Sequence, residues 1–134
     1  MNPYTLLRLF WAAAIITAGI TLYQLGNRWI LHRAARLPVI AGFLQQGKPT
    51  LLYFTTPTCA PCKTIQRPAI ERLIQVAGDR LQVIEIDAES QPELARQWGV
   101  LSVPTTFVLD AQGKPRHVNH GVTPVDKLLQ EFEI

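Results

Sequence analysis

Acidic side chains are missing from the first 36 residues, which carry Arg8, Arg28, Arg33 and Arg36 but no Asp or Glu. The remaining residues hold nine basic against ten acidic side chains. The formal charge of +3 therefore belongs to the N-terminal segment, and a nucleic-acid-binding surface elsewhere loses its support. Charge is scarce overall, at 17% of residues against 48% apolar, which excludes a disordered polyelectrolyte. Cysteine is scarcer still. Two in 134 residues are too few for a disulfide-stapled secreted scaffold. The length suits one domain of about a hundred residues plus an appendage.

What is present begins with an uncharged run, Leu9 to Leu25, of seventeen residues. As a helix it would be about 26 Å long, just short of a bilayer core of roughly 30 Å. Trp11 and Trp29 lie about 27 Å apart on such a helix, which suits two interfacial anchors. Arg8 closes one end, and Arg28, His32, Arg33 and Arg36 close the other. A cleaved signal peptide would need small residues just beyond the run, where Tyr23-Gln-Leu-Gly-Asn-Arg-Trp29 stands instead. A buried helix would show a polar face, which this one lacks. A single membrane anchor is the expectation, with residues 1–36 as anchor and basic flank and 37–134 as the domain. The heavier positive charge after the span favours a cytoplasmic domain.

From Leu37 the pattern becomes one of alternating elements. Pro38–Gln46 reads as a short helix closed by Gly47, and Thr50–Thr55 as a strand covered on both faces. Cys59–Ala77 reads as a helix with Ile65, Ala69, Leu73 and Val76 at helical spacing and Gly78 as its stop. Leu81–Ile86 is a second strand, Gln91–Trp98 a short helix, and Thr105–Leu109 a third strand. Asp110–Gly113 turns into a fourth strand near Arg116–Asn119. Thr123 is the expected N-cap of a last helix, with Pro124 first and Asp126 completing a capping box. Val125, Leu128, Leu129 and Phe132 line one face of it. These elements make an α/β fold with a central mixed sheet flanked by helices.

The two cysteines stand in Thr58-Cys59-Ala60-Pro61-Cys62-Lys63, where a strand passes into a helix. A thiolate at Cys59 would be stabilised by the free N–H groups of that helix end. Cys62, one turn on, is placed to attack a mixed disulfide formed at Cys59. The spacing thus supplies a nucleophile and a resolving thiol, while Pro61 stiffens the turn without costing a needed N–H. Zinc would need four ligands, and the domain adds only His117 and His120. A purely structural disulfide would close a tiny loop and add little stability. Redox chemistry without metal or bound cofactor is favoured over both.

Residues 42–134 resemble a thioredoxin-family domain: strand, CAPC opening a helix, Trp98-Gly99-Val100 and Val103-Pro104-Thr105 follow that family's order. The resemblance implies a thioredoxin-like fold and a redox-active Cys59–Cys62 pair. It also implies that the Val103–Pro104 bond is cis, that Pro104 packs on the disulfide and that the Val103 peptide group pairs with substrate backbone. Gly121 looks like the family glycine that lets substrate approach the groove; by position alone it reads equally as a turn before a helix. Partners would be protein disulfides and an unidentified dithiol electron donor. Many tethered members of the family face outward, and soluble thioredoxins already serve the cytoplasm; these points lean the domain to the extracytoplasmic side against the charge rule.

Four departures stand out. Thr58 replaces the usual tryptophan before the first cysteine, removing a flat apolar platform. Pro68 falls six residues after Cys62, one more than usual, which implies a one-residue insertion in the first turns of the helix. Tyr53 stands where thioredoxins proper keep a buried Asp that can take the proton of the resolving thiol. Tyrosine holds its own proton at neutral pH, so resolution is expected to be slow unless Glu85 or Asp87 points inward; the other reading is of Tyr53 as a core strand residue with its hydroxyl satisfied. Lastly, the extra N-terminal strand of the larger fold is not expected, because few residues separate the anchor from the first core strand. The Ala60-Pro61 dipeptide is closer to the Gly-Pro of reducing members than to the His-containing dipeptides of oxidants. A membrane-tethered protein-disulfide reductase is the favoured function; a disulfide oxidase and a scaffold used for binding or assembly are the alternatives. A peroxidase, with Thr56 and Cys59 in a Thr-x-x-Cys site, lacks an arginine partner recognisable in the sequence.

Overall fold

The computed structural model describes residues 2–34, 42–45 and 47–134. Contacts divide the chain into two compact units, Met1–Ile30 and Leu31–Ile134. The domain boundary expected at 36/37 lies outside the described residues, as do most of the ends of the helix expected over 38–46. The described part of that segment, 42–45, is turn and bend rather than helix.

The first element, α1, runs from Pro3 to Ala34. Its 32 residues give it a length of about 48 Å, so the apolar run is the middle of a longer helix. It is long and apolar enough to cross a membrane. The hydroxyls of Thr17 and Thr21 donate to the carbonyls of Ala13 and Thr17, at 2.9 and 2.8 Å. Both threonine hydroxyls are thereby satisfied within the helix.

The second unit is a four-stranded sheet in the order β2-β1-β3-β4 among the described residues. Its strands are β1 (Thr50–Thr55), β2 (Gln82–Asp87), β3 (Thr105–Leu109) and β4 (Pro115–His120). β1 pairs parallel with β2 and antiparallel with β3, which pairs antiparallel with β4. Every residue of β1 and β3 is buried, so the continuous apolar runs are central strands covered on both faces. Side-chain alternation divides the core. Leu51 and Tyr53 join Cys62, Ile70, Leu73, Val108 and Leu128 on one face. Phe54 faces the other way, onto Phe107 and Trp98, with ring centroids 5.9 and 6.4 Å from it.

The β3–β4 hairpin closes on Asp110, whose carboxylate accepts N–H bonds from Gln112 and Lys114 and a 2.7 Å contact from Arg116. Burial alone would raise this carboxyl. The Lys114 amide, the Arg116 side chain and the Gln112 amide outweigh it and hold the group below its ordinary value.

The helices are α2 (Arg67–Ala77), α3 (Pro92–Gln97) and α4 (Val125–Glu131). Three expectations are corrected here. The helix read as Cys59–Ala77 begins with Ala60 and Pro61 and then makes a π turn over Cys62–Gln66 before α2. Its buried face is Cys62, Gln66, Ile70, Leu73 and Ala77, while Ile65 and Val76 are exposed. A π turn spends an extra residue on one revolution and so rotates everything after it. Finally, α4 starts at Val125, because Pro124 is extended (φ −67°, ψ 154°) and is itself the cap residue. The Thr123 side chain makes no capping bond.

Candidate active site

The turn after β1 delivers the cysteine pair. The Cys59 amide donates to the Thr56 carbonyl at 3.2 Å, and the Cys59 carbonyl accepts from the Lys63 amide at 3.4 Å. Cys59 and Cys62 form a disulfide with Cα atoms 5.3 Å apart. The Cys62 amide also donates to Cys59 Sγ at 3.2 Å, a contact that favours negative charge on that sulfur. The two residues differ in access: Cys62 is 0% exposed and Cys59 9%. Thr58, Ala60 and Pro61 are exposed around them.

The π turn explains the displaced proline. The Arg67 amide donates to the Cys62 carbonyl five residues back, and this wider loop absorbs the additional residue. Pro68 consequently sits at the start of α2, where a missing N–H costs little. The same Cys62 carbonyl accepts a second bond, 3.1 Å, from the Tyr53 hydroxyl.

Tyr53 is 1% exposed. Burial pushes its phenol above the ordinary value of 10.0, with Glu85 adding to the rise and Thr55 and Arg67 opposing it. It therefore keeps its proton at neutral pH. Its burial as a neutral group stabilises the fold fully below the unfolded value, and that contribution is lost only as pH climbs through the higher folded one. Neither neighbouring carboxylate takes over its place. Glu85 is surface-exposed and paired with Arg67 at 2.9 Å, and Asp87 accepts the Glu89 amide. Among the described residues no carboxylate side chain is buried.

Across from the pair, the Val103–Pro104 peptide bond is cis. Val103 packs against the cluster that contains both cysteines, and Pro104 is buried. Gly121 has φ +83°, a conformation that favours glycine, and a Cβ there would point into open space. Its amide donates to the Pro104 carbonyl at 2.8 Å. The fold thus brings Tyr53, Cys59, Cys62 and Val103 into one cluster and ties Gly121 to Pro104. Among the described residues no group of three or more His, Cys, Asp or Glu is placed to hold a metal.

The thioredoxin family model matches residues 41–133. The chain belongs to the thioredoxin family. It is 33% identical over 86 residues to the chloroplastic thioredoxin Y of rice, covering 64% of this chain and 50% of that one. A thioredoxin-like protein of Synechocystis is 33% identical over 87 residues, 65% of this chain and 81% of its own. Thioredoxin of Bacillus subtilis is 39% identical over 75 residues, 56% of this chain and 70% of its own. Among solved structures, thioredoxin-2 of the malaria parasite superposes with a TM-score of 0.62 at 21% identity, over 67% of this chain and 85% of that one. StoA of Bacillus subtilis gives 0.55 at 17% identity, over 67% and 86%. These two likenesses show the fold. A thioredoxin domain with a closed cysteine pair is a thiol–disulfide oxidoreductase whose redox group is its own disulfide.

One feature beside the pair has no signal in the sequence. Gln66, an isolated polar residue on the buried face of the active-site helix, is 0% exposed and bonds to the backbone of Thr123.

Proposed function

We propose that this chain is a membrane-tethered protein-disulfide reductase, with residues 1–36 as anchor and 37–134 as the catalytic domain. The observation that carries the reading is the asymmetric pair at the mouth of the active-site helix. Cys59 is the more exposed of the two residues and so attacks the substrate disulfide; Cys62, fully buried, resolves the mixed disulfide. As Cys62 thiolate displaces the substrate sulfur from Cys59, the substrate leaves as a dithiol and the pair closes. A dithiol donor then reopens it. Val103, Pro104 and Gly121 form the wall along which substrate backbone lies, and Thr58, Ala60, Pro61 and Tyr53 border the pair. The Ala60-Pro61 dipeptide supports reduction over oxidation. Thr58 and Tyr53 are what a non-catalytic scaffold would also show, yet such a scaffold has no need of a closed, partly accessible cysteine pair.

The residues at the end of the apolar run of α1 make a poor cleavage site, which supports retention as an anchor, and we place the domain outside the cytoplasm. Labelling tests both halves of this assignment. After mild reduction of intact cells, a membrane-impermeant maleimide is expected to modify Cys59 in the membrane fraction. Modification only after lysis would put the domain in the cytoplasm. Recovery of a shortened, soluble chain would make α1 a signal sequence.

A further inference from the structure

We propose that Gln66 is a positioning residue whose buried carboxamide fixes the distance between the cysteine-bearing helix and the Gly121–Pro104 wall of the substrate groove. The inference rests on the reading of that wall as the substrate groove. Gln66 Oε1 accepts the Thr123 N–H at 2.8 Å, and Gln66 Nε2 donates to the Thr123 carbonyl at 3.1 Å. One side chain therefore satisfies both backbone groups of a residue 57 positions away, as a neighbouring strand would. It stands at the last residue of the π turn that starts at Cys62. Two residues before Thr123 is Gly121, whose amide is bonded to the Pro104 carbonyl. The π turn thus carries Cys62 to Gln66, hydrogen bonds join Gln66 to Thr123 and Gly121 to Pro104, and the Thr123 hydroxyl donates to the Gly121 carbonyl at 3.4 Å. The carboxamide is also directional, because exchanging its oxygen and nitrogen would set donor against donor and acceptor against acceptor.

Where the π turn makes room for one more residue, it also decides which side chain reaches Thr123. No apolar residue can replace this clip without leaving two buried backbone groups unpaired. Glutamate can replace it only when protonated, since one oxygen must accept and the other must donate. Burial raises a carboxyl toward that state as pH falls.

The test uses the full chain in detergent micelles, unaltered and as Gln66→Met and Gln66→Glu. Three quantities are measured: reduction of insulin, reduction of a small aromatic disulfide, and amide hydrogen exchange at Gly121 and Thr123. In Gln66→Met, exchange at both amides is expected to rise about tenfold or more, as loss of buried hydrogen bonds allows. Insulin reduction should fall by about tenfold, with small-disulfide reduction within about twofold of the unaltered chain. Gln66→Glu should show the same loss where its carboxyl is ionised, on the alkaline side of its raised value, and approach the unaltered rate compared at the same pH as pH falls through that value. Unchanged exchange at Gly121 in Gln66→Met would overturn the clip. Raised exchange with an unchanged ratio of insulin to small-disulfide rates would overturn its role in the groove. An equal fall for both substrates in a folded chain would also overturn it, placing Gln66 in cysteine reactivity instead. If the unaltered chain reduces neither substrate, the reductase reading fails, and the exchange data alone decide whether the clip holds the loop.

Discussion

Replacing Cys59 with serine is expected to bring disulfide reduction down to the background of the chemical reductant, while Cys62→Ser accumulates covalent complexes with substrate. The difference follows from burial. Cys59 is the more exposed of the two residues, so under the proposed mechanism it meets the macromolecular disulfide, and without it no mixed disulfide forms. Cys62 sits inside the core at 0% exposure, and its serine replacement removes the thiol that would release the substrate. Non-reducing electrophoresis reads the outcome directly, as protein-sized adducts that a reductant dissolves. Serine at a buried position costs about 1–3 kcal/mol, so both variants are checked for cooperative unfolding. Adducts in Cys59→Ser and none in Cys62→Ser would reverse the two roles.

Tyr53→Asp is expected to speed resolution of the mixed disulfide about tenfold or more at pH 7, less than the roughly hundredfold or more that an ideally placed general base supplies. In the unaltered chain Cys62 must lose its proton to water. The Tyr53 phenol above it is held protonated by burial, and Glu85 faces solvent with Arg67. The resolution rate should therefore climb with pH through the neutral range. With aspartate at position 53 that climb should flatten. A buried carboxylate is costly, so Tyr53→Phe serves beside it: loss of the 3.1 Å bond to the Cys62 carbonyl costs about 1 kcal/mol and leaves the pH profile as it was. A folded Tyr53→Asp chain whose resolution is no faster would show that proton removal at this position does not limit the enzyme. An altered profile in Tyr53→Phe would show that the hydroxyl itself exchanges the proton.

Most of the fold was legible because its central strands are short and continuously apolar. Thr50–Thr55 and Thr105–Leu109 hold the bounds read from the sequence, and Gly78, Gly99 and Gly113 end or turn their elements with positive φ. The strand read as Leu81–Ile86 lies one residue later. The active-site helix was less legible. An ideal 3.6-residue period put Ile65 and Val76 inward, and both are exposed: the π turn sets Ile65 out of register with α2, whose buried face runs through Ile70, Leu73 and Ala77. The position of Pro68 did signal an insertion, but composition does not say how a helix will absorb one. Thr123 carried every mark of an N-cap by residue type. Its backbone is claimed by Gln66, a contact across 57 residues that no local pattern reveals. At the site, the cysteine pair was legible from spacing alone. The place of Tyr53 as a partner of the Cys62 carbonyl required the fold.

The most direct test of the dithiol reductase is insulin reduction by the full chain in detergent micelles, with dithiothreitol as the electron source. The account predicts that the chain shortens the lag before insulin precipitates, in proportion to its concentration, and that alkylating the reduced Cys59 removes the effect. A folded chain whose disulfide opens with dithiothreitol but leaves insulin at the uncatalysed rate would contradict it.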